Sequence, residues 1–107
     1  MTENIKVWLD DERPTPEGWV SAKTAAEAIS LLKTGKVSEI SLDNDLGPAA
    51  AGEGYDVICF IETEAFVHQE HFTPATMPVI YIHTANPVAR KKMEATIDAI
   101  ERNKERF

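Results

Sequence analysis

The sequence predicts an α/β domain built around a mainly parallel sheet, and three observations predict it. Short apolar runs such as "IKVWL" and "VIYIHT" are bounded by turn residues. Between them lie stretches whose apolar residues recur at helical spacing. The resulting order is strand, strand, helix, strand, helix, strand, helix, the alternation expected of parallel strands joined by crossover helices. A chain of 107 residues has room for one core, so residues 1–107 form a single domain.

Taken in order, "IKVWL" (5–9) is nearly continuously apolar, as expected of a strand covered on both faces. It ends at Asp10 and Asp11. "ERPTPEG" follows, and its two prolines and glycine exclude a long helix there. "WVSAK" (19–23) reads as a second short strand of open direction. Thr24 and Glu27 have the spacing of a capping box, which opens a helix carrying Ala25, Ala28, Ile29, Leu31 and Leu32 on its apolar stripe. Gly35 ends that helix where a left-handed residue is usual. Residues 37–43 form the third strand and run into Asp43, Asn44 and Asp45. "GPAAAGEG" is a flexible loop. A helix over 55–67 then places Tyr55, Ile58, Ile61 and Ala65 inward. "QEHFTPATMP" (69–78) is a connector, and "VIYIHT" (79–84) is another buried strand. Asn86 and Pro87 suit the cap and first position of a last helix, whose apolar face is Ala89, Met93, Ile97 and Ile100.

The net charge of −7 argues against a broad basic face for long nucleic acid, since that binding mode depends on many Lys and Arg contacts. It leaves open a phosphate end held through a cation. No apolar run reaches the length of a membrane span and no signal core is present, so the expected location is cytoplasmic, with no membrane partner. The lone Cys59 is expected to pack in the core.

In a parallel sheet, ligands sit beyond the carboxyl ends of the strands. Asp10-Asp11, Asp43-Asn44-Asp45 and His83-Thr84-Ala85-Asn86 all fall there. Each alone is an ordinary strand-end turn. Together, the two acidic clusters would repel, by roughly 4 kcal/mol for a pair about 4 Å apart at an effective dielectric of about 20. A divalent cation removes that cost. Oxygen donors of this kind suit Mg²⁺ or Mn²⁺, with Ca²⁺ also possible, better than zinc. Asp10, Asp11 and Asp43 are the expected metal ligands, with Asp45 orienting a ligand or standing behind the metal. In "HTANPVARKK" the helix start offers amides of Val88 and Ala89 as an anion site, beside Thr84, Asn86 and Arg90. Arg13 is a further phosphate clamp. His83 has an ordinary pKa of about 6.5, which suits a general acid or base. His68 and His71 read as surface, and Trp8 and Trp19 as core. "GPAAAGEG" lacks the lysine of a nucleotide-binding loop.

These motifs resemble response-regulator receiver domains: "IKVWLDDE" the strand with paired acids for Mg²⁺, "ISLDNDLG" the strand ending in a phosphoacceptor (Asp43), and "VIYIHTA" the strand ending in Thr or Ser (Thr84). The receiver lysine strand and the first receiver helix have no counterpart. "LDDERP", "SLDNDLG", "GYDV" and "HTANP" together look like a narrower group, the cyclic-phosphate-processing receiver-like domains, over about residues 5–100. The resemblance implies a truncated flavodoxin-like three-layer sandwich with strand order 2-1-3-4. It also implies a Mg²⁺-dependent phosphoesterase acting on a cyclic phosphate end of RNA or a related small phosphoester. In that group a His stands where this chain has Asn44, and a Ser where it has Thr84. The same motifs permit a non-catalytic pseudo-receiver module. With no fifth strand, residues 79–84 become a sheet edge where two copies could pair, unless the 69–78 connector covers it.

Overall fold

A computed structural model of the chain describes residues 4–106. Its elements are β1 (Ile5–Leu9), β2 (Val20–Ala22), α1 (Ala25–Leu32), β3 (Val37–Leu42), α2 (Gly54–Thr63), β4 (Val79–Ile82) and α3 (Pro87–Arg106). A 3₁₀ turn at Ala49–Ala51 precedes α2, and a π-helical turn at Glu64–His68 follows it. The four strands form one sheet in the order β2-β1-β3-β4, with every pairing parallel. This is the flavodoxin-like receiver architecture and the expected strand order, and it fixes the 19–23 strand as parallel to β1.

The handedness of the connections decides which face is covered. The β2-to-β3 and β3-to-β4 crossovers progress the same way across the sheet, so right-handed connections put α1 and α2 on one face. α3 packs on α2 and on β4, completing that layer. Val7, Leu9, Ile40 and Leu42 point into it and are fully buried, as are Ile58, Ile61, Met93 and Ile100 from the helices. The β1-to-β2 connection runs the opposite way and crosses the other face, where Trp19 meets Trp8 edge-on at 5.9 Å. The layer on that side is this short connection.

Two expectations of burial change as a result. β1 is not uniformly covered: Val7 and Leu9 are buried while Lys6 and Trp8 are half-buried. β4 is not a buried strand, since Val79 and Tyr81 are 53% and 46% exposed. Both lie on the face that no helix among the described residues covers. The connector 69–78 packs elsewhere, with Phe72 set edge-on to Phe60 of α2 at 6.4 Å.

Both ends of α1 and the start of α3 follow their predicted chemistry. Thr24 Oγ1 accepts the Glu27 amide at 3.1 Å to cap α1, and Gly35 takes a φ of 73° at its exit. Asn86 Oδ1 accepts the amides of Val88 and Ala89, each at 3.1 Å, to cap α3. No helix among the described residues is long and apolar enough to cross a membrane.

Candidate metal and phosphate site

The first residue beyond each of three strands remains in the ladder. The amide of Asp10 bonds Ala22 O at 3.0 Å, that of Asp43 bonds Leu9 O at 2.9 Å, and that of His83 bonds Leu42 O at 2.9 Å. Parallel neighbours therefore end level with one another, and their side chains meet at the carboxyl edge of the sheet. Asp10, Asp11 and Asp43 each present a ligand oxygen there, all within 4.8 Å of one another. They border a cleft of about 350 Å³ that also takes in Arg13, Asp45, Gly47, Thr84 and Asn86.

The donor set fits a hard divalent cation. Three carboxylates on two adjacent strand ends supply only oxygen, and the backbone closes around them. A Cβ on Gly47 would stand 3.0 Å from Asp11 Oδ2, and Gly47 has a φ of 86°, so that loop position has two reasons to carry glycine. Asp10 is 2% exposed. Burial alone would raise its pKa, but the amides of Arg13 and Glu12 and the His83 imidazole outweigh it and hold the carboxyl below its ordinary range. Asp10 is thus kept ionised, as a ligand must be.

Around the carboxylates the expected residues divide. Thr84 is buried, and its Oγ1 accepts the Asn86 amide at 3.2 Å, leaving its hydroxyl proton for the cleft. Asp45 is exposed and accepts Asn86 Nδ2 at 3.2 Å and Asn44 Nδ2 at 3.5 Å. The guanidinium of Arg13 donates to the carbonyl of His83 and lies 4.0 Å from Asp10 Oδ2. The helix-start anion site needs correction: the amides of Val88 and Ala89 are both consumed by Asn86 Oδ1 and are not free for a phosphate. Arg90 does not border this cleft. It donates to Ile82 O at 3.1 Å and pairs with Glu94 at 3.6 Å, in a groove beside β4.

His83 adjoins the cleft without lining it. Its ring stacks on Trp8, with centroids 3.8 Å apart and planes 4° from parallel. Nδ1 lies 2.8 Å from Ser41 Oγ and Nε2 lies 3.1 Å from Asp10 Oδ2. Burial pushes its pKa below the usual value, against the hydrogen bond and charge of Asp10 and the charge of Asp43.

Sequence reasoning passed over several residues that shape this edge. Ser41 reads as a strand residue, yet it holds the His83 ring. Asn44 is 6% exposed; its Oδ1 accepts the Tyr55 amide at 3.1 Å and its carbonyl the Gly54 amide at 3.1 Å, tying α2 to the acidic loop. A Cβ on Gly54 would fall 1.9 Å from the Asp43 carbonyl oxygen. Gly54 is the first residue of α2, after the Glu53 cap, and it is this close backbone approach that calls for glycine there.

Comparison with known proteins gives one family. Residues 5–99 match the cyclic-phosphate processing receiver domain. No curated protein and no solved structure matches the chain.

Proposed function

Because this chain belongs to the cyclic-phosphate processing receiver domain family, we propose that its cleft is the site of a Mg²⁺- or Mn²⁺-dependent phosphoesterase. The substrate would be a 2′,3′-cyclic phosphate end of RNA or a related small phosphoester. The observation that carries the reading is the convergence of Asp10, Asp11 and Asp43 in a cleft that Arg13 and Thr84 also line. Among the described residues, five carboxylates, counting Glu12 and Asp45, border the cleft against one guanidinium, that of Arg13. An anionic ester enters such a field only with a cation.

Asp10, Asp11 and Asp43 would hold the ion. When bound, it would polarise a phosphoryl oxygen or lower the pKa of a water. The Arg13 guanidinium and the Thr84 hydroxyl stand on the rim to donate to phosphate oxygens. Asp45, held by Asn86 and Asn44, faces the same space and can orient a ligand hydroxyl. An acid or base role for His83 requires one ring nitrogen to leave its present partner, Asp10 or Ser41. A cleft of about 350 Å³ suits a terminal nucleotide, and the net charge of −7 disfavours a long duplex.

The test is a metal-supplemented screen of 2′,3′-cyclic and linear phosphoesters, run beside Asp43→Asn. Metal-dependent turnover of a cyclic ester, lost in the variant, is expected. Metal binding without hydrolysis of any ester would leave the fold as a binding module.

A further inference from the structure

We propose that His83 is a positioning residue: clamped by Ser41 and Trp8, it presents Asp10 Oδ2 to the cation through an Nε2–H donor. This rests on reading Asp10, Asp11 and Asp43 as a cation site, and it gives His83 a different duty from acid or base.

The sheet builds the clamp. Trp8 on β1 pairs in register with Ser41 on β3, and Ser41 pairs with Tyr81 on β4, two residues before His83. Side chains two apart on a strand share a face, so Trp8, Ser41 and His83 converge on the side that no helix covers. The indole fixes the plane of the imidazole at 3.8 Å, and Ser41 Oγ fixes its rotation through Nδ1 at 2.8 Å. The imidazole side chain is 14% exposed and the Asp10 side chain 0%.

The hydrogen-bond inventory of Asp10 shows what the clamp is for. Oδ1 accepts the amides of Glu12 at 2.8 Å and Arg13 at 2.9 Å, which occupies both of its lone pairs. Oδ2 accepts from His83 Nε2 at 3.1 Å and keeps one lone pair for the cleft. An ionised carboxylate only accepts, so Nε2 carries the proton. In the neutral ring Nδ1 is then bare and accepts a hydrogen bond from the Ser41 hydroxyl. Asp11 and Asp43 repel the Asp10 carboxylate, and the imidazole N–H holds Oδ2 against them while the two amides hold Oδ1. Both ring nitrogens are engaged, and the ring lies outside the lining of the cleft, so His83 reaches the chemistry through Asp10.

The experiment measures Mn²⁺ binding by calorimetry in the wild type, His83→Ala, His83→Gln and Ser41→Ala, with melting curves on the same preparations. It also records the ring ¹⁵N signals of His83 in metal-free protein at alkaline pH. Loss of such a supporting partner typically weakens metal binding by about 10- to 100-fold, and that loss is expected in His83→Ala. His83→Gln should recover most of it, because its amide can donate to Asp10 but cannot shuttle a proton. Ser41→Ala should fall between. The nitrogen spectrum should place the proton on Nε2. Wild-type affinity in folded His83→Ala, no recovery in His83→Gln, or a proton on Nδ1 would each overturn the proposal while leaving the cation site standing. If His83→Ala does not fold, His83→Gln, Ser41→Ala and the spectrum decide. Absence of Mn²⁺ binding in the wild type overturns the cation site itself, and with it this role.

Discussion

Asp43 offers the most direct test of the site, because it brings a carboxylate from the end of a second strand to the pair that follows β1. Mg²⁺ or Mn²⁺ should raise the wild-type melting temperature, since a ligand that binds only the folded state stabilises it by about 2.7 kcal/mol at about 100 times its dissociation constant. Asp43→Asn should abolish the rise and leave the metal-free protein as stable or more so. The neutral side chain can still accept the Asn44 amide now at 2.8 Å, and a repelling charge is gone. A metal-free Asp43→Asn protein that melts lower would identify Asp43 as a structural carboxylate. Gly54 should be intolerant for a different reason. Its Cβ would overlap backbone atoms of Asp43, which cannot yield as a flexible side chain could. Gly54→Ala should therefore cost roughly 1–3 kcal/mol in chemical denaturation and should also weaken Mn²⁺ binding by shifting Asp43. Full stability in that variant would show that the loop has room to move. The acids could be read in the sequence because two pairs at predicted strand ends stand out against apolar runs. Ser41 and Asn44 could not, because their roles depend on register and on the start of α2, which no spacing within the chain reports.

Among the elements, helix starts were more legible than helix ends. Thr24 and Asn86 announce their caps by residue type. Expected to run to 67, α2 instead gives way at Glu64 to a π-helical turn that exits through Gln69 at a φ of 52°. The cause lies in the Glu64 side chain, which is 3% exposed and whose Oε2 accepts the amides of Glu70 at 2.6 Å and His71 at 2.8 Å. An anion at the end of a helix opposes the helix dipole, so nothing in the local pattern suggests that this one turns the chain. The His71 amide holds the Glu64 carboxyl below its ordinary pKa of about 4.5, against the opposing push of burial and with help from the Glu70 amide and the His71 ring. A carboxyl with a depressed folded pKa stabilises fully above its unfolded value and loses that contribution as the pH falls through the folded value. Glu64→Gln should thus melt lower than wild type at pH 7, and the gap should close as the pH falls below about 4.5. A gap that stays constant down to pH 3 would mean that the charge of Glu64 plays no part in the turn.

On the scale of the whole molecule, a sheet with helices on one face and β2 and β4 at its edges leaves β4, the longer of the two edge strands, as the surface better suited to association. The amide of His83 points to β3, where it meets Leu42. By alternation the amides of Val79 and Tyr81 also face β3, while those of Ile80 and Ile82, with their carbonyls, face outward. Arg90 occupies the Ile82 carbonyl, a guard of the kind that limits edge pairing. Ile80 keeps its amide and carbonyl open in a groove bounded by Arg90, Glu94 and Asp98 of α3. A second copy set antiparallel about a two-fold axis would bring the Arg90 end of one groove to the Asp98 end of the other, so the charges complement each other. With one carbonyl guarded and a strand of only four residues, the pairing should be weak and concentration-dependent. Sedimentation of the wild type across a range of concentrations should show reversible dimerisation. Ile80→Pro removes the outward amide without breaking the ladder to β3, because proline is tolerated where the lost N–H faces solvent. That variant should stay monomeric with its Mn²⁺ binding intact, since the cleft lies beyond the strand end. A wild type that remains monomeric at every concentration, or an Ile80→Pro variant that dimerises as well, would remove β4 as the contact between copies.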